Sequence, residues 1–166
     1  MSRFHTSFVL GYHGCDRRVG EQALAGSFDL VHSDRDCDWL GPGVYFWEGD
    51  PVRAREWAEA KAARVSGMVP HVIGAAIDLG NCLDLTVRYD IELLRDAHEG
   101  LVAALQEEGK PTPKNRDVPS DVSGDKLLRN LDCAVIRYIH DSIEQELPAF
   151  GAAVPVKYRI FYWQSI

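Results

Sequence analysis

Residues 38–48, with the sequence DWLGPGVYFWE, place a strong turn-forming sequence directly before three aromatic side chains. The Gly-Pro-Gly sequence at 41–43 cannot continue a helix or a central strand, because proline lacks a backbone N–H and glycine loses much conformational entropy when it is ordered. The chain must therefore turn here and enter an extended segment at 44–48. Alternation along that segment would point Tyr45 and Phe46 to opposite sides, so one of them can face a flat ligand.

Patterns typical of strands lie near both ends of the chain, and helical patterns lie between them. The predicted strands are 6–13 (TSFVLGYH), 71–78 (HVIGAAID), 82–85 (CLDL) and the last twelve residues, 155–166 (PVKYRIFYWQSI). The predicted helices are a short one at 20–25 and two long ones at about 90–108 and 125–146. Three prolines and several polar residues at 109–124 favour a mobile loop that can act as a lid.

Another helix is predicted to begin at Asp50 and Pro51. The carboxylate of Asp50 can cap the first turn, and the fixed φ of Pro51 suits the first helical position. Apolar residues then recur at helical spacing from Ala54 to Val65. This spacing puts Trp57 on the buried face of the helix.

The order of these elements predicts an α+β fold. Strands come early and late with helices inserted, and the sequence has neither a regular βαβα alternation nor a GxGxxG motif that opens a helix. These features argue against a doubly wound nucleotide-binding fold. The 166 residues have the size of one domain, and the sequence shows no internal repeat, so 1–166 is predicted to form a single domain.

Charge and apolar content argue against several classes of function. The formal net charge of -7 disfavours non-specific binding to nucleic acid or to an anionic membrane. We expect no membrane segment, because the sequence has no run of about 18 apolar residues and no signal-peptide pattern at its start. The four cysteines lack CxxC spacing and indicate reduced thiols in a cytoplasmic protein. Their spacing relative to the histidines fits no common zinc-ligand pattern, so no metal site is expected.

Residues 11–14, with the sequence GYHG, combine an aromatic ring, an imidazole and two glycines near the end of the first predicted strand. The imidazole of His13 can hydrogen-bond a sugar hydroxyl, and the backbone of Gly14 can approach an amide-bearing ligand closely. The ring of Tyr45 offers a flat face for stacking on a heteroaromatic ring. These residues predict a site for a ligand that carries a sugar and a flat ring.

The same two segments resemble a known pair of motifs. YHG at 12–14 and GPGVYF at 41–46 resemble the first two motifs of ADP-ribosyltransferases of the diphtheria-toxin and poly(ADP-ribose) polymerase type, whose triad is His-Tyr-Glu. The resemblance implies an ADP-ribosyltransferase-like split β-sheet core with inserted helices. It also implies NAD as the substrate.

The resemblance assigns roles residue by residue. His13 would bond the adenosine ribose of NAD, Gly14 would hold the nicotinamide carboxamide through its backbone, and Tyr45 would stack on the nicotinamide ring. Tyr12 and Gly43 belong to the same two motifs and are predicted to contribute to NAD binding.

Two positions on the following helix depart from the family pattern. Arg53 stands where the family often has a serine that bonds the carboxamide, and it is either a solvated helix residue or a phosphate contact. The second nicotinamide-stacking aromatic of the family falls on Glu56, with Trp57 one place later, so Trp57 either takes that role or belongs to the core.

Arg17 and Arg18 flank the His-Gly motif and either meet the pyrophosphate or stay at the surface.

The third member of the triad departs most from the family pattern, which places a glutamate on a late strand. On the last predicted strand the matching position is Gln164, which keeps a hydrogen bond to the ribose but carries no negative charge. Glu48 and Glu146 are the alternative carboxylates, ranked second and third. Glu144 and Glu146 form an ExE pattern, but this pattern ends a predicted helix instead of opening a strand.

The sequence thus predicts an NAD-dependent, toxin-like mono-ADP-ribosyltransferase with catalytic residues His13, Tyr45 and Gln164. The alternative is a catalytically inactive NAD- or ADP-ribose-binding module, or a protein-interaction domain. The acceptor is left open, with protein favoured over nucleic acid. A partner chain could pair with the last predicted strand, because an unpaired strand edge is a template for further pairing.

Overall fold

A computed structural model describes residues 8–80, 82–118 and 126–146. These residues belong to two compact units. The first contains 8–31 together with 44–80 and residue 82, and the second contains 32–43 together with 83–118 and 126–146. Each unit is described by itself below.

The first unit contains a three-stranded antiparallel sheet. Its strands are β1 (Phe8–Asp16), β2 (Trp47–Glu48) and β3 (Pro70–Asp78), in the spatial order β2-β1-β3. β3 pairs with the whole length of β1, from Phe8↔Asp78 to Asp16↔Pro70. β2 pairs with it only at Gly11↔Glu48 and Tyr12↔Trp47. The aromatic run therefore enters the sheet next to the middle of β1.

Helix α1 (Arg17–Leu24) begins where β1 ends, and Asp16 connects the two. Its carboxylate accepts a hydrogen bond from the backbone N–H of Arg18 at 2.9 Å and another from Val69 at 3.0 Å. The pKa of Asp16 is lowered mainly by these two N–H groups, because they stabilise the charged carboxylate. Asp16 therefore both caps α1 and fixes the turn that leads into β3.

Helix α2 (Pro51–Ala62) lies against β1 at Gly14. Asp50 caps the helix by accepting from the N–H of Arg53 at 2.9 Å, and Pro51 opens it, as the sequence predicts. Ala54 and Ala58 are completely buried. A Cβ at position 14 would lie 2.2 Å from the carbonyl oxygen of Ala54, which is far inside van der Waals contact. The helix backbone can approach this closely only because residue 14 has no side chain.

The second unit is built on two helices, α3 (Arg88–Glu107) and α4 (Asn130–Glu146). Gly100 of α3 leaves room for the ring of Tyr138 of α4, whose hydroxyl would lie 2.9 Å from a Cβ at position 100. The start of α4 is capped from a distant residue. The side chain of Asn115 accepts from the N–H of Leu131 at 2.9 Å and donates to Asp132 at 2.6 Å.

The segment 33–43 is fixed to α4 by polar contacts. Asn130 donates to the carbonyl of Asp36 at 3.1 Å, and Arg137 forms an ion pair with Asp34. The thiol of Cys133 donates to the carbonyl of Arg35 at 3.4 Å. A short bridge between residues 33 and 43 closes the segment into a loop. Of these contacts with α4, only the ion pair uses a charged side chain of the loop, and the other two use backbone carbonyls.

Several predicted boundaries are wrong. The first strand does not end at residue 13, because pairing with β3 continues it through Gly14 to Asp16. Residues 82–85 are not a strand. The carboxylate of Asp84 accepts from the backbone and hydroxyl of Thr86 at 2.9 and 2.7 Å, which forms a turn.

The predicted burial of Trp57 is also wrong, since its side chain is 40% exposed. The sheet approaches α2 so closely that only small residues fit at the contact, and Ala54 and Ala58 take those positions. The indole is therefore displaced to the border of this contact.

The predicted lid at 109–124 is described as far as residue 118, and this part is anchored. Arg116 and Leu128 exchange two backbone hydrogen bonds of 2.9 and 3.0 Å, and Asp117 accepts from the N–H of Lys126 at 2.8 Å. Residues 119–124 and the predicted strand 155–166 lie outside the described residues. Within the part of the chain that is described, the α+β class is confirmed.

We predict that Gly14→Ala lowers the free energy of unfolding by about 3 kcal/mol, because the added methyl group forces α2 away from β1. Urea unfolding followed by circular dichroism measures this change. Gly43→Ala is the matched control, since a Cβ at position 43 meets nothing within 4 Å and should change the stability little. Equal stability of the wild type and Gly14→Ala would contradict the close helix–strand contact.

Candidate functional site

The imidazole of His13 is bonded to the segment that carries Tyr45. Its Nδ1 lies 2.7 Å from the carbonyl oxygen of Tyr45, although 32 residues separate the two along the chain. The ring of Phe46 lies beside the imidazole, with 5.5 Å between the ring centroids. The strand with the His-Gly sequence and the Val-Tyr-Phe segment are thus neighbours within the first unit.

The hydrogen bond determines which nitrogen of His13 is available. A carbonyl oxygen only accepts, so Nδ1 must carry the proton. Burial is the largest influence on the imidazole and lowers its pKa, which outweighs the bond to the Tyr45 carbonyl that raises it. The ring is therefore neutral at neutral pH, and Nε2 is an acceptor. A sugar hydroxyl could donate to that nitrogen.

Tyr12 is placed by pairing on both of its edges. It lies opposite Trp47 of β2 and Gly74 of β3. A Cβ at position 74 would be 3.3 Å from the ring of Tyr12, so this glycine leaves room for the ring to lie over the neighbouring strand. Tyr12 therefore has a packing role in the sheet beside any contact with a ligand.

Gly14 likewise has a structural role that the sequence did not show. The sequence analysis predicted that the backbone of Gly14 binds the carboxamide of a ligand. The structure shows that α2 packs against this glycine. Gly43 belongs to the second unit, where its backbone N–H and carbonyl pair with Ser33 at 2.9 Å each. Ligand contacts of both glycines stay predictions.

The two predicted positions on α2 both contact a neighbouring side chain. The guanidinium of Arg53 forms an ion pair with Glu56 at 3.0 Å and lies 5.7 Å from the ring centroid of Trp47. The ammonium of Lys61 lies 4.9 Å from the ring centroid of Trp57. One face of the Trp57 indole is thus covered by a cation.

Only some of the candidates for the third catalytic position can be located. Gln164 lies outside the described residues. Glu146 ends α4 in the second unit and so belongs to a helix. Glu48 is exposed on β2 and pairs with Gly11.

Sheet geometry places Glu48 on the same side as His13. Directly opposed residues of an antiparallel pair point to the same face, as do residues two apart on a strand. Because Glu48 opposes Gly11, and Gly11 precedes His13 by two residues, the two side chains share a face. The two strand positions are separated by about 7 Å along β1.

Lys61 is a residue of this region that the sequence reasoning missed. Its positive charge lowers the pKa of His13 in addition to the larger effect of burial. The sequence feature that could have identified the Lys61–Trp57 contact is the spacing of the two residues. Residues four apart on a helix are neighbours, and an ammonium is attracted to an indole face. Among the described residues, no group of three or more His, Cys, Asp or Glu side chains is arranged to hold a metal ion.

Comparisons with protein-family models, with curated proteins and with solved structures found no match. No helix within the described ranges is long and apolar enough to cross a membrane.

We predict that His13 makes the protein less stable in mild acid. The unfolded chain takes up a proton on this residue near the ordinary pKa of 6.5, whereas the folded state resists protonation. The unfolded state then binds more protons, so the free energy of unfolding falls as the pH drops from about 7 to about 5. Asp16 and Asp84 have lowered pKa values, so their protonation reduces the free energy of unfolding only at lower pH.

Urea unfolding of the wild type and of His13→Gln across this pH range measures the effect. The variant should show a flatter dependence, and the NMR titration of the His13 ring should give a pKa below 6.5. Identical pH dependence of the two proteins would contradict the buried neutral imidazole.

Proposed function

We propose that this protein binds NAD and transfers its ADP-ribose group to an acceptor as a mono-ADP-ribosyltransferase. The observation that carries the proposal is the 2.7 Å hydrogen bond between His13 Nδ1 and the carbonyl of Tyr45. It brings together the two segments whose sequences resemble the first two motifs of that family. The split β-sheet core of the family is part of the same proposal.

In the proposed reaction, Nε2 of His13 accepts a hydrogen bond from a hydroxyl of the adenosine ribose. The ring of Tyr45 stacks on the nicotinamide. The bond between the ribose C1′ and the nicotinamide nitrogen breaks, and its electron pair leaves with the nicotinamide. The acceptor's nucleophilic atom then forms a new bond to C1′ and loses its proton to solvent or to a nearby base. The protein holds the cation-like sugar and forms no covalent bond to it.

A negative charge near the ribose would stabilise this transition state. Gln164 cannot supply that charge, and Glu48 can. Glu48 shares the sheet face of His13, which supports it as the carboxylate of the site. In this proposal Gln164 keeps at most a hydrogen-bonding role.

We predict that the purified protein releases nicotinamide from NAD and that Tyr45→Ala lowers the rate by about 100-fold, because the ring no longer orients the nicotinamide. Chromatographic measurement of released nicotinamide tests this. Tyr89→Ala is the matched control, since Tyr89 lies on α3 of the second unit and is 75% exposed. NAD binding without release would favour the alternative of a binding module, and the absence of NAD binding at millimolar ligand would remove the proposal.

We predict that Glu48→Gln lowers kcat by about 100-fold with little change in KM, because the lost charge acts in the transition state. Initial rates of nicotinamide release at several NAD concentrations separate the two constants. Glu99→Gln on α3 removes an exposed carboxylate elsewhere and should leave both unchanged. If Glu48→Gln keeps full activity while Gln164→Ala loses it, the third role belongs to Gln164.

A further inference from the structure

The ring of Phe46 lies over a gap that Gly11 leaves on β1. A Cβ at position 11 would stand 3.0 Å from the Cβ of Phe46 and 3.3 Å from its Cδ1, which is tighter than ordinary van der Waals contact. The same Cβ would lie 2.6 Å from Cδ1 of Ile77, a residue of β3 that is buried. Phe46 can therefore lie against the strand at this point only because residue 11 has no side chain.

Phe46 also packs beside the imidazole of His13. The centroids of the two rings are 5.5 Å apart, and their planes are inclined by 48°. Residues two apart on a strand point to the same face, so the gap at Gly11 and the imidazole of His13 belong to one face of β1. Phe46 thus packs on this face, against both positions.

The residue before Phe46 supplies the hydrogen bond that fixes the imidazole. The carbonyl oxygen of Tyr45 lies 2.7 Å from Nδ1 of His13. This carbonyl belongs to the planar peptide unit that joins Tyr45 to Phe46, so a displacement of the Phe46 backbone would move the oxygen with it. The ring contact and the hydrogen bond therefore depend on the same peptide unit.

We propose that Phe46 is a positioning residue for His13: its ring, seated over Gly11, holds the carbonyl of Tyr45 on Nδ1 and so keeps Nε2 as the acceptor. This assignment rests on the proposed function, in which Nε2 accepts from a hydroxyl of the adenosine ribose. Without the ring, the carbonyl is no longer held in place and the proton can move to Nε2. A protonated Nε2 of the neutral ring is a donor and cannot accept from the ribose hydroxyl.

A purely structural role for Phe46 gives a different result from a positioning role. A structural residue changes the stability of the fold, whereas a positioning residue changes which nitrogen of His13 carries the proton. Protonated and unprotonated ring nitrogens differ in chemical shift, so nitrogen NMR measures the fraction of molecules in the Nδ1–H form. Because only this form accepts the ribose hydroxyl, the apparent Kd of the ligand rises in inverse proportion to that fraction.

The test compares the full wild-type chain with Phe46→Leu at about pH 8, where an ordinary imidazole is neutral. The probe is ADP-ribose, which contains the adenosine ribose without the nicotinamide. We expect the Nδ1–H form to dominate in the wild type and both forms to be present in Phe46→Leu. If the Nδ1–H fraction falls to about one third, calorimetry should give an about threefold higher Kd for ADP-ribose. Phe46→Tyr keeps the ring and should bring both values back to near those of the wild type.

Two further variants sharpen the test. Gly11→Ala places a methyl group against Phe46 and should have the same two effects as Phe46→Leu, which decides the question alone if Gly11→Ala does not fold. Phe8→Leu is the matched control, because it makes the same substitution on β1 at a side chain that is 64% exposed and points to the face opposite His13. It should change neither the tautomer nor the Kd, and a shift as large as that of Phe46→Leu would overturn the assignment.

The outcomes separate this inference from the proposed function. If Phe46→Leu keeps the Nδ1–H form and binds ADP-ribose as the wild type does, even with lower stability, the role of Phe46 is overturned and the proposed function stands. If the tautomer shifts while the Kd of ADP-ribose stays the same, the contact between Nε2 and the ribose is overturned. If the tautomer shifts but neither NAD nor ADP-ribose binds the wild type at millimolar concentration, Phe46 still positions the imidazole and the proposed function is overturned.

Discussion

The close contact between α2 and β1 at Gly14 is the constraint on which the rest of the first unit depends. With no side chain at position 14, the carbonyl of Ala54 comes within 2.2 Å of where a Cβ would stand. Only methyl side chains then fit on the helix face that meets the strand, which explains the complete burial of Ala54 and Ala58. Larger side chains of α2, such as those of Trp57 and Lys61, are displaced to the border of this contact, where the Lys61 ammonium lies 4.9 Å from the ring centroid of Trp57.

The state of His13 follows from its burial and from its hydrogen bond to the Tyr45 segment. Burial keeps the ring neutral, and the carbonyl of Tyr45 keeps the proton on Nδ1. A solvated imidazole would exchange between tautomers and would be partly charged near neutral pH. Here the structure presents a single acceptor nitrogen and couples it to the position of Tyr45. A shift of the Tyr45 segment would therefore also change the hydrogen bonding of the imidazole, so the two residues act as one unit.

The parts that could be predicted are those whose signals are local. The helix start at Asp50 and Pro51 follows from capping chemistry within four residues, and the α+β class follows from the order of strand and helix patterns. The exposure of Trp57 could not be predicted from the sequence. Helical spacing shows which residues share a face of α2, but it does not show how closely β1 approaches that face. The strand predicted at 82–85 failed because a short apolar pattern does not reveal a competing Asp84–Thr86 turn. The convergence of His13 with Tyr45 was expected only through the family resemblance, since nothing within either segment encodes their pairing.

The acidic balance of the chain does not by itself rule out an anionic dinucleotide as the ligand of the proposed site. A net charge of -7 disfavours the approach of an anionic dinucleotide, but carboxylates farther away than about 8 Å are largely screened at physiological ionic strength. NAD has a cationic nicotinamide ring at one end and a diphosphate in the middle. The proposed site therefore needs an aromatic face for the nicotinamide, which is the role given to Tyr45 in the proposed function. Cleavage turns the nicotinamide into a neutral ring and weakens its attraction to the aromatic face, whereas the hydrogen bond proposed between His13 and the adenosine ribose does not depend on that charge. The same arrangement would thus release nicotinamide first and retain the ADP-ribose group for the acceptor.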